Sequence, residues 1–203
     1  WTREEEFFLD TFRPAAVVRI RSGLDAAGQL CLWDYQVWAA GTRSAEPFYD
    51  VPHHRIRAYG RWGSDTPKLH LFATGPWRAP GANVNVFARE SMIDTMAASA
   101  KADPLEFRLR NTSDPRMRGV LEAAAKAAGW KKGAGPTGRG AGIACGIDAG
   151  TYVALVAEVK VDPATGEVRV LRVVAAQDMG IVVNPDGARM QMEGCIAMGL
   201  GYA

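Results

Sequence analysis

A short segment rich in proline and glycine constrains the fold of this chain more than any other feature. Gly75 to Gly81 reads Gly-Pro-Trp-Arg-Ala-Pro-Gly, and an amphipathic helix pattern begins directly after it. Pro76 and Pro80 fix the backbone torsion φ, whereas glycine releases it. The segment therefore predicts a rigid corner that carries Arg78. The free N–H groups and the positive dipole end of the following helix face the same corner.

Two interpretations of Arg78 are open on these local features. A guanidinium beside the N-terminus of a helix can form an anion-binding site, because both attract negative charge. A loop arginine can equally make a surface ion pair that contributes little to stability. The residues around Arg78 do not by themselves decide between the two.

The composition excludes several classes of protein. A chain of 203 residues fits one large domain or two small ones, and its 48% hydrophobic and 23% charged residues are typical of globular proteins. The net charge of +2 is too small to indicate nucleic acid as a main partner. No apolar stretch approaches the length of a membrane span.

No residues of the chain are predicted to ligate a metal directly. Cys31, Cys145 and Cys195 lie far apart and form no Cys-x-x-Cys pair, which argues against a zinc or iron–sulfur site built by this chain alone. His53 and His54 are adjacent, and adjacent side chains on an extended chain point to opposite faces. The two histidines are therefore not expected to share one ion.

The pattern of the first half predicts strands followed by helices. Strands are expected in Ala15 to Arg21 and Leu30 to Ala40, joined by a turn, with an irregular loop over Thr42 to His54 and a further strand over Leu69 to Thr74. Asn83 to Lys101 is the clearest helix. Its predicted apolar stripe consists of Val86, Ile93, Ala97 and Ala100.

Glu90 lies on that stripe, and a buried carboxylate needs a partner. A fixed ion pair or a cap for backbone N–H groups is favoured over catalysis, since buried carboxylates are usually paired structurally. Further helices are predicted to start at Asp103-Pro104 and at Asp114-Pro115, where aspartate can cap and proline suits the first turn. Gly129 is expected to end the second of them.

The last part of the chain predicts a hairpin and a final helix. Strands over Val153 to Val161 and Glu167 to Ala176 flank the turn sequence Asp162 to Gly166, and a helix rich in Met, Ala and Gly runs from Ala188. The predicted class is α+β, with mixed sheets and packed helices. The predicted organisation is a β-rich segment with helices over 1–130, a linker over 131–139, and a hairpin with a helix over 140–203.

Common catalytic motifs are missing from the sequence. It contains no Gly-x-Ser-x-Gly, no P-loop and no His-Glu-x-x-His, and the run Gly138 to Gly142 precedes a strand instead of following one, so a Rossmann site has weak support. Gln191 offers both a donor and an acceptor to a polar ligand. Glu193 is either a base or a carboxylate near a helix N-terminus, and the second interpretation is favoured.

Several of these segments together resemble a known family. Arg78 to Gly81, Phe87 to Asp94 and Asp103 to Asn111 look like the molybdopterin-binding large subunit of the xanthine dehydrogenase and aldehyde oxidase family. Asp178 to Pro185, followed by Gln191 to Gly194, resembles a second signature of that family, in the same order. Within the family, the short connection after the Gly140 region looks most like the branch that contains the isoquinoline 1-oxidoreductase β-subunit.

The resemblance implies an enzyme that hydroxylates an aldehyde or N-heterocycle with water as the oxygen source. It implies a molybdenum-bound pyranopterin, often the cytosine dinucleotide form in bacterial members, and [2Fe–2S] clusters on a separate small subunit. Arg78 takes the place of the arginine that orients substrate and stabilises developing negative charge. Gln191, with Gly194 beside it, takes the place of the glutamine segment that contacts the cofactor. The compartment, cytoplasm or periplasm, is left open.

Departures from the family pattern set further expectations. The sequence contains neither the Gly-Glu-Pro-type motif of the family's glutamate base nor its Gly-Gln-Gly cofactor loop. Because the chain starts at Trp1 without Met and stops at Ala203 within a helix pattern, we expect a piece of a longer polypeptide and an isolated chain that is inactive. Pro80 stands where purine-oxidising relatives carry an aromatic residue. The alternative is a non-catalytic α+β binding or assembly module.

Overall fold

The fold is described by a computed structural model covering residues 1–60, 73–75, 77–131 and 138–203. The chain divides into two compact units, Trp1–Ala102 and Asp103–Ala203. The described residues form helices and two three-stranded sheets, so the predicted α+β class is confirmed. None of the helices in these ranges is long and apolar enough to cross a membrane.

The first unit combines one mixed sheet with a long helix. Its strands follow the order β1-β2-β3, with β1 antiparallel and β3 parallel to the central β2. The elements of this unit are α1 (Arg3–Leu9), β1 (Val17–Leu24), β2 (Leu30–Trp38), β3 (His53–Tyr59) and α2 (Ala82–Ser99). The predicted first two strands, the turn between them and the long helix are thereby confirmed.

One face of this sheet forms the core of the first unit. Trp33, Tyr35 and Val37 alternate along β2 and are all buried, as a strand with one covered face requires. Helix α2 packs beside the sheet and contributes Ile93 and Ala97 to the same core. The opposite face of β2 carries residues that are more exposed or polar.

The sequence pattern did not predict β3, whose first residues, His53 and His54, were expected to end an irregular loop. The other unpredicted element of this unit is helix α1. It is only seven residues long and buries none of them, so it leaves no apolar periodicity to detect. Thr2 and Glu5 form a reciprocal capping box at its start. The capping box was therefore the local sequence signal for this helix, although no helix was predicted in this acidic segment.

Part of the region ahead of the Arg78 corner lies outside the described residues. The predicted strand over Leu69 to Thr74 falls mostly in 61–72, and Pro76 is likewise not described. Thr74 makes an isolated parallel bridge with Phe12. The bridge joins the segment before β1 to the segment that leads into the corner.

The second unit contains a purely antiparallel sheet with helices. The strands follow the order β4-β5-β6. The elements are α3 (Pro104–Arg110), α4 (Pro115–Ala128), β4 (Arg139–Asp148), β5 (Thr151–Val161), β6 (Val168–Asp178) and α5 (Pro185–Leu200). The predicted hairpin is confirmed as β5 and β6.

The predicted helix boundaries in this unit rest on the expected caps. The Asp103 carboxylate accepts hydrogen bonds from the N–H groups of Leu105 and Glu106, and Asp114 does the same at the start of α4. Gly129 ends α4 in the left-handed conformation, with φ of 70°. The glycines of the run from Gly140 lie within β4 itself, which is not the strand–turn–helix setting of a Rossmann site.

The boundary between the two compact units lies before α3, whereas the predicted division lay at 131–139, after α4. Helix α4 packs against β5 and β6 and buries Met117, Val120, Leu121 and Ala124. Helices α3 and α4 therefore belong with the second sheet, because their apolar faces are covered there. Residues 132–137 of the predicted linker lie outside the described residues.

Candidate functional site

The Arg78 corner has an unusual backbone and an uncapped helix. Ala79 and Gly81 both adopt positive φ, 57° and 73°, immediately before α2 begins. Gly81 provides no side-chain hydrogen bond to the first turn of α2, and that turn contains no acidic residue. The positive end of the helix dipole is thus left without a carboxylate from its own sequence. The Arg78 side chain is exposed at this position.

A second arginine supports the corner from the other side. The Nη2 of the half-buried Arg13 donates a hydrogen bond of 2.8 Å to the carbonyl oxygen of Arg78. Arg13 follows Phe12, whose N–H and carbonyl pair with Ala73 and Gly75 at 2.9 and 3.1 Å. Two arginines therefore belong to this corner, and Arg13 contacts it through the backbone carbonyl of Arg78. This is the kind of positive environment that binds anions.

Gly75 is required by the close approach of a neighbouring segment. A Cβ added at Gly75 would collide with the side chain of Thr11. No larger residue fits while the segment before β1 lies against residues 73–75. The glycine therefore allows Arg13 to reach the corner.

The fit of a cofactor to this corner is partial. A cavity of about 10 Å³ is lined by Arg13, Trp77, Gly81 and Asn83, among others, which is space for about one water molecule. The Oδ1 atom of Asn83 is buried there without a hydrogen-bond partner among the described residues. The arginines at this corner can donate hydrogen bonds to an anionic or oxo group. The Oδ1 atom of Asn83 can accept a hydrogen bond. The corner alone does not enclose a whole pyranopterin.

Polar side chains buried on α2 fix the helix that carries the corner. The Nδ2 of Asn85 donates to the carbonyls of Gly41 and Arg43 at 3.1 and 2.9 Å, and its Oδ1 accepts from the Tyr35 hydroxyl at 2.7 Å. The Nη1 of Arg89 donates to the carbonyl of Ser44 at 2.8 Å. The helix thereby satisfies backbone carbonyls of the loop between β2 and β3.

Glu90 completes this polar contact, and its prediction as a structurally paired carboxylate is confirmed. Its Oε1 accepts from Nε of Arg89 at 3.1 Å, and both its oxygens accept from the Tyr49 hydroxyl at 3.2 and 3.1 Å. The two charged side chains are only 1% and 6% exposed. The guanidinium also lies over the Phe48 ring at 4.5 Å.

The predicted stripe of α2 needs a correction. Val86 and Ala100 are only half-buried, whereas Asn85 and Arg89 are fully buried beside Glu90. The sequence pattern failed because it assigned the buried face to apolar residues alone. Here the neighbouring loop presents carbonyl groups that only polar side chains can satisfy.

Replacing Glu90 with alanine should lower the stability of the first unit. Because the change leaves Arg89 buried without its counter-charge, we expect the free energy of unfolding to fall by about 3–5 kcal/mol. Urea titration followed by circular dichroism measures this. Asp94→Ala, which removes an exposed carboxylate from the same helix, is the matched control and should cost no more than about 1 kcal/mol. Equal losses in the two variants would contradict the role of the buried pair.

Gln191 and Gly194 lie on α5 in the second unit and are both exposed. Residues three apart share a helix face, so the amide of Gln191 stands beside the surface at Gly194. A Cβ added at Gly194 would meet no atom within 4 Å. This part of α5 is therefore open to solvent and carries a polar amide. Arg78 belongs to the first unit, whereas Gln191 and Gly194 belong to the second.

The structure corrects the predicted position of Glu193 in its helix. Helix α5 begins at Pro185, three residues before the predicted start, with Asn184 as its cap. Glu193 therefore lies in the middle of the helix, and Asp186 is the acidic residue of the first turn. The interpretation of Glu193 as an N-terminal carboxylate was wrong, because the Asn184-Pro185 sequence is itself the cap and first residue of the helix.

Asp178, at the end of β6, belongs to a charged cluster that was not predicted from the sequence. The segment that leads to α5 starts at this cluster. Nε and Nη2 of Arg116 donate to the two carboxylate oxygens of Asp178 at 2.9 and 2.8 Å. The guanidinium lies 4.2 Å from the Tyr152 ring, and the Tyr152 hydroxyl donates to Asp114 at 2.8 Å. Asp178 also accepts from the N–H of Gly180 at 3.0 Å. No sequence signal links these residues, since they are far apart in the chain.

Asp178→Asn should change the pH dependence of stability. The Arg116 guanidinium and the Gly180 N–H lower the pKa of Asp178 from 3.8 to about 2. A carboxyl whose pKa is lower in the folded state stabilises the fold at pH values above its unfolded-state pKa. This stabilisation is lost as the pH falls through the folded-state pKa. Solvent screens the half-exposed pair, so we expect only a small difference in stability between the two proteins at neutral pH.

The measurement is urea unfolding of the natural protein and the Asp178→Asn variant at several acidic pH values. The difference between them should shrink as the pH falls from 3.8 to about 2. Arg116→Gln should show the same weakened dependence. A constant difference over this interval would show that the Asp178 carboxylate is not coupled to Arg116.

Comparisons with known proteins identify the family. A model described as a molybdopterin cofactor-binding domain matches residues 84–203, and a second model with the same description matches residues 1–112. Together they include the Arg78 corner, α2 and α5. The chain belongs to the molybdopterin cofactor-binding domain family, as the sequence resemblance predicted.

Relatives extend well beyond the length of this chain. It is 32% identical to a nicotinate dehydrogenase chain of Pseudomonas putida, over 95% of this chain and 19% of that protein. It is also 32% identical to the beta chain of isoquinoline 1-oxidoreductase from Brevundimonas diminuta, over 100% of this chain and 28% of the relative. The chain therefore spans less than a third of either relative's length.

A solved structure supports the fold. Quinoline 2-oxidoreductase from Pseudomonas putida 86 superposes with a TM-score of 0.51 at 17% identity, covering 79% of this chain and 26% of that one. At this identity the likeness concerns the fold alone. It agrees with the α+β architecture of the two units.

Proposed function

We propose that this chain is part of the molybdenum-cofactor subunit of a hydroxylase that oxidises an aldehyde or N-heterocycle, with water as the oxygen source. Family membership supports the cofactor, and the two relatives above are named for nicotinate and isoquinoline, both N-heterocycles. The observation that carries the proposal for this chain is the exposed Arg78 at the start of α2, where Arg13 holds the Arg78 carbonyl and no side chain caps the helix.

The cofactor in this proposal is a molybdenum-bound pyranopterin, with the cytosine dinucleotide form as the variant to test. When bound, it supplies the two-electron redox chemistry at the metal. In this proposal, [2Fe–2S] clusters on a separate small subunit would accept the electrons. The described residues of this chain contain no cluster of His, Cys, Asp and Glu arranged to hold a metal ion.

Arg78 has the chemistry to orient substrate. Its planar guanidinium can donate two hydrogen bonds to an oxygen or ring nitrogen that gains negative charge as the reaction proceeds. The start of α2, which no side chain caps, adds to the same positive potential. Arg13 holds the Arg78 carbonyl, so we propose that Arg13 positions the turn without contacting substrate itself.

Gln191 and Gly194 are proposed to contact the cofactor. The exposed amide of Gln191 can both donate and accept hydrogen bonds, and the missing side chain at Gly194 leaves room for a flat group against α5.

Arg78→Ala in the molybdenum-loaded, full-length enzyme should lower kcat/KM by about 10²–10³-fold, because it removes a donor from the developing charge. Arg78→Lys should retain the charge but not the paired donors and should recover only part of the activity. The assay is reduction of a dye by an aldehyde or N-heterocycle, with molybdenum content measured by mass spectrometry.

Arg169→Ala is the matched control, since Arg169 is a 71%-exposed arginine paired with Glu167 on the hairpin. It should leave kcat/KM within about twofold of the natural protein. Full activity of Arg78→Ala with normal metal content would refute the substrate-side role. Failure of the natural protein to retain molybdenum would instead favour a non-catalytic module.

The isolated 203-residue chain is expected to be inactive. Its sequence contains no Gly-Glu-Pro-type motif to supply the proton-abstracting glutamate that the resemblance implies. Glu90 cannot substitute for that base, because its carboxylate is buried and bound to Arg89 and Tyr49. Turnover of substrate by the isolated chain, with molybdenum bound, would contradict this expectation.

A further inference from the structure

The outer face of the first sheet carries a concentration of arginines. Residues directly opposite in the sheet share a face, and Arg19 pairs with Gln36, which pairs with Arg57. In the next row, Arg21 pairs with Asp34. Asp34 in turn pairs with Arg55. We call these residues the basic sheet face; it consists of Arg19, Arg21, Asp34, Gln36, Arg55 and Arg57.

Four of these side chains are exposed cations, and one carboxylate lies among them. Arg19, Arg21, Arg55 and Arg57 are all exposed. Asp34 is the sole acidic residue within the three strands, whose residues are all described. This face therefore carries a net charge of +3, counting four arginines against one aspartate, whereas the whole sequence carries only +2.

Internal contacts neutralise only part of this charge. Arg55 donates to both oxygens of Asp34 at 3.0 and 2.7 Å, and this pairing holds the pKa of Asp34 below its ordinary value. Asp34 carries one negative charge, so it offsets the charge of only one of the four arginines. The excess charge lies in Arg19, Arg21 and Arg57, which surround the Asp34–Arg55 pair.

Aromatic side chains extend the face at one end. The rings of Trp38 and Tyr59 stack with centroids 5.0 Å apart, and the guanidinium of Arg19 lies 5.8 Å from the Trp38 ring. At the other end, Arg21 and Arg55 line a cavity of about 590 Å³. Arginine, tryptophan and tyrosine are the residues that dominate binding energy at protein interfaces.

We propose that the basic sheet face docks an extended acidic segment of a partner protein. Residues two apart on a strand are separated by about 6.5–7 Å, so the arginines of each outer strand repeat at the spacing of alternate side chains in an extended peptide. Carboxylates at alternate positions can thus meet successive arginines. Planar guanidinium groups bind carboxylates through two parallel hydrogen bonds.

A segment of this kind fits the face better than a nucleic acid or a membrane. The strip measures roughly 20 by 10 Å, from four rows of residues across three strands. The Asp34 carboxylate at its centre would repel a continuous phosphate backbone that crosses it. The separate carboxylates of a peptide can lie on either side of Asp34. The small net charge of the chain gives no long-range attraction for polyanions.

The test measures binding of a fluorescent hexapeptide of alternating glutamate and threonine to the purified protein by anisotropy. Arg21→Gln/Arg57→Gln removes two cations but keeps the Asp34–Arg55 pair, and we expect it to weaken binding by about tenfold. The matched control is Arg139→Gln/Lys160→Gln, which removes two exposed cations that face each other across β4 and β5. It should change binding by less than about twofold.

Salt should weaken the interaction, since exposed charges are screened. The proposal is overturned if the natural protein does not bind the peptide, or if the two double variants bind it equally well. It is also overturned if a single-stranded oligonucleotide or a phosphatidylserine vesicle binds this face more tightly than the peptide does. Circular dichroism spectra matching those of the natural protein establish that the variants are folded.

Discussion

The buried pair of Arg89 and Glu90 is the interaction on which the first unit depends. Two charges taken out of water are costly, and they are tolerated here because every part of the pair has a partner. The guanidinium reaches Glu90, the Ser44 carbonyl and the Phe48 ring, while the carboxylate also accepts from Tyr49. Together with Asn85, the pair attaches α2 to the loop between β2 and β3.

That attachment determines where the candidate site lies. The N-terminus of α2 carries Gly81 and the Arg78 corner, so a helix that shifted along its axis would move the corner with it. Arg13 fixes the turn from the opposite side through the Arg78 carbonyl. The exposed guanidinium of Arg78 is thus mounted on a backbone held at two points, which suits a group that must keep its position during a reaction.

The second unit uses charge in a similar way, but closer to the surface. Arg116 joins Asp178 to the Tyr152 ring, and Tyr152 contacts the Asp114 cap of α4. The start of the family signature is therefore fixed to a helix cap through one arginine. From there the chain enters α5, which presents the exposed Gln191 and Gly194 that we propose as cofactor contacts.

The sequence by itself determined the α+β class, most of the helix and strand positions, and the family. These follow from local chemistry: aspartate and proline start helices, glycine ends them, and short turns join strands. Tertiary structure alone decided that Asn85 and Arg89 are buried, that Arg13 supports Arg78, and that four arginines share one sheet face. Such features depend on residues brought together across long stretches of chain, where neither periodicity nor motif spacing carries a signal.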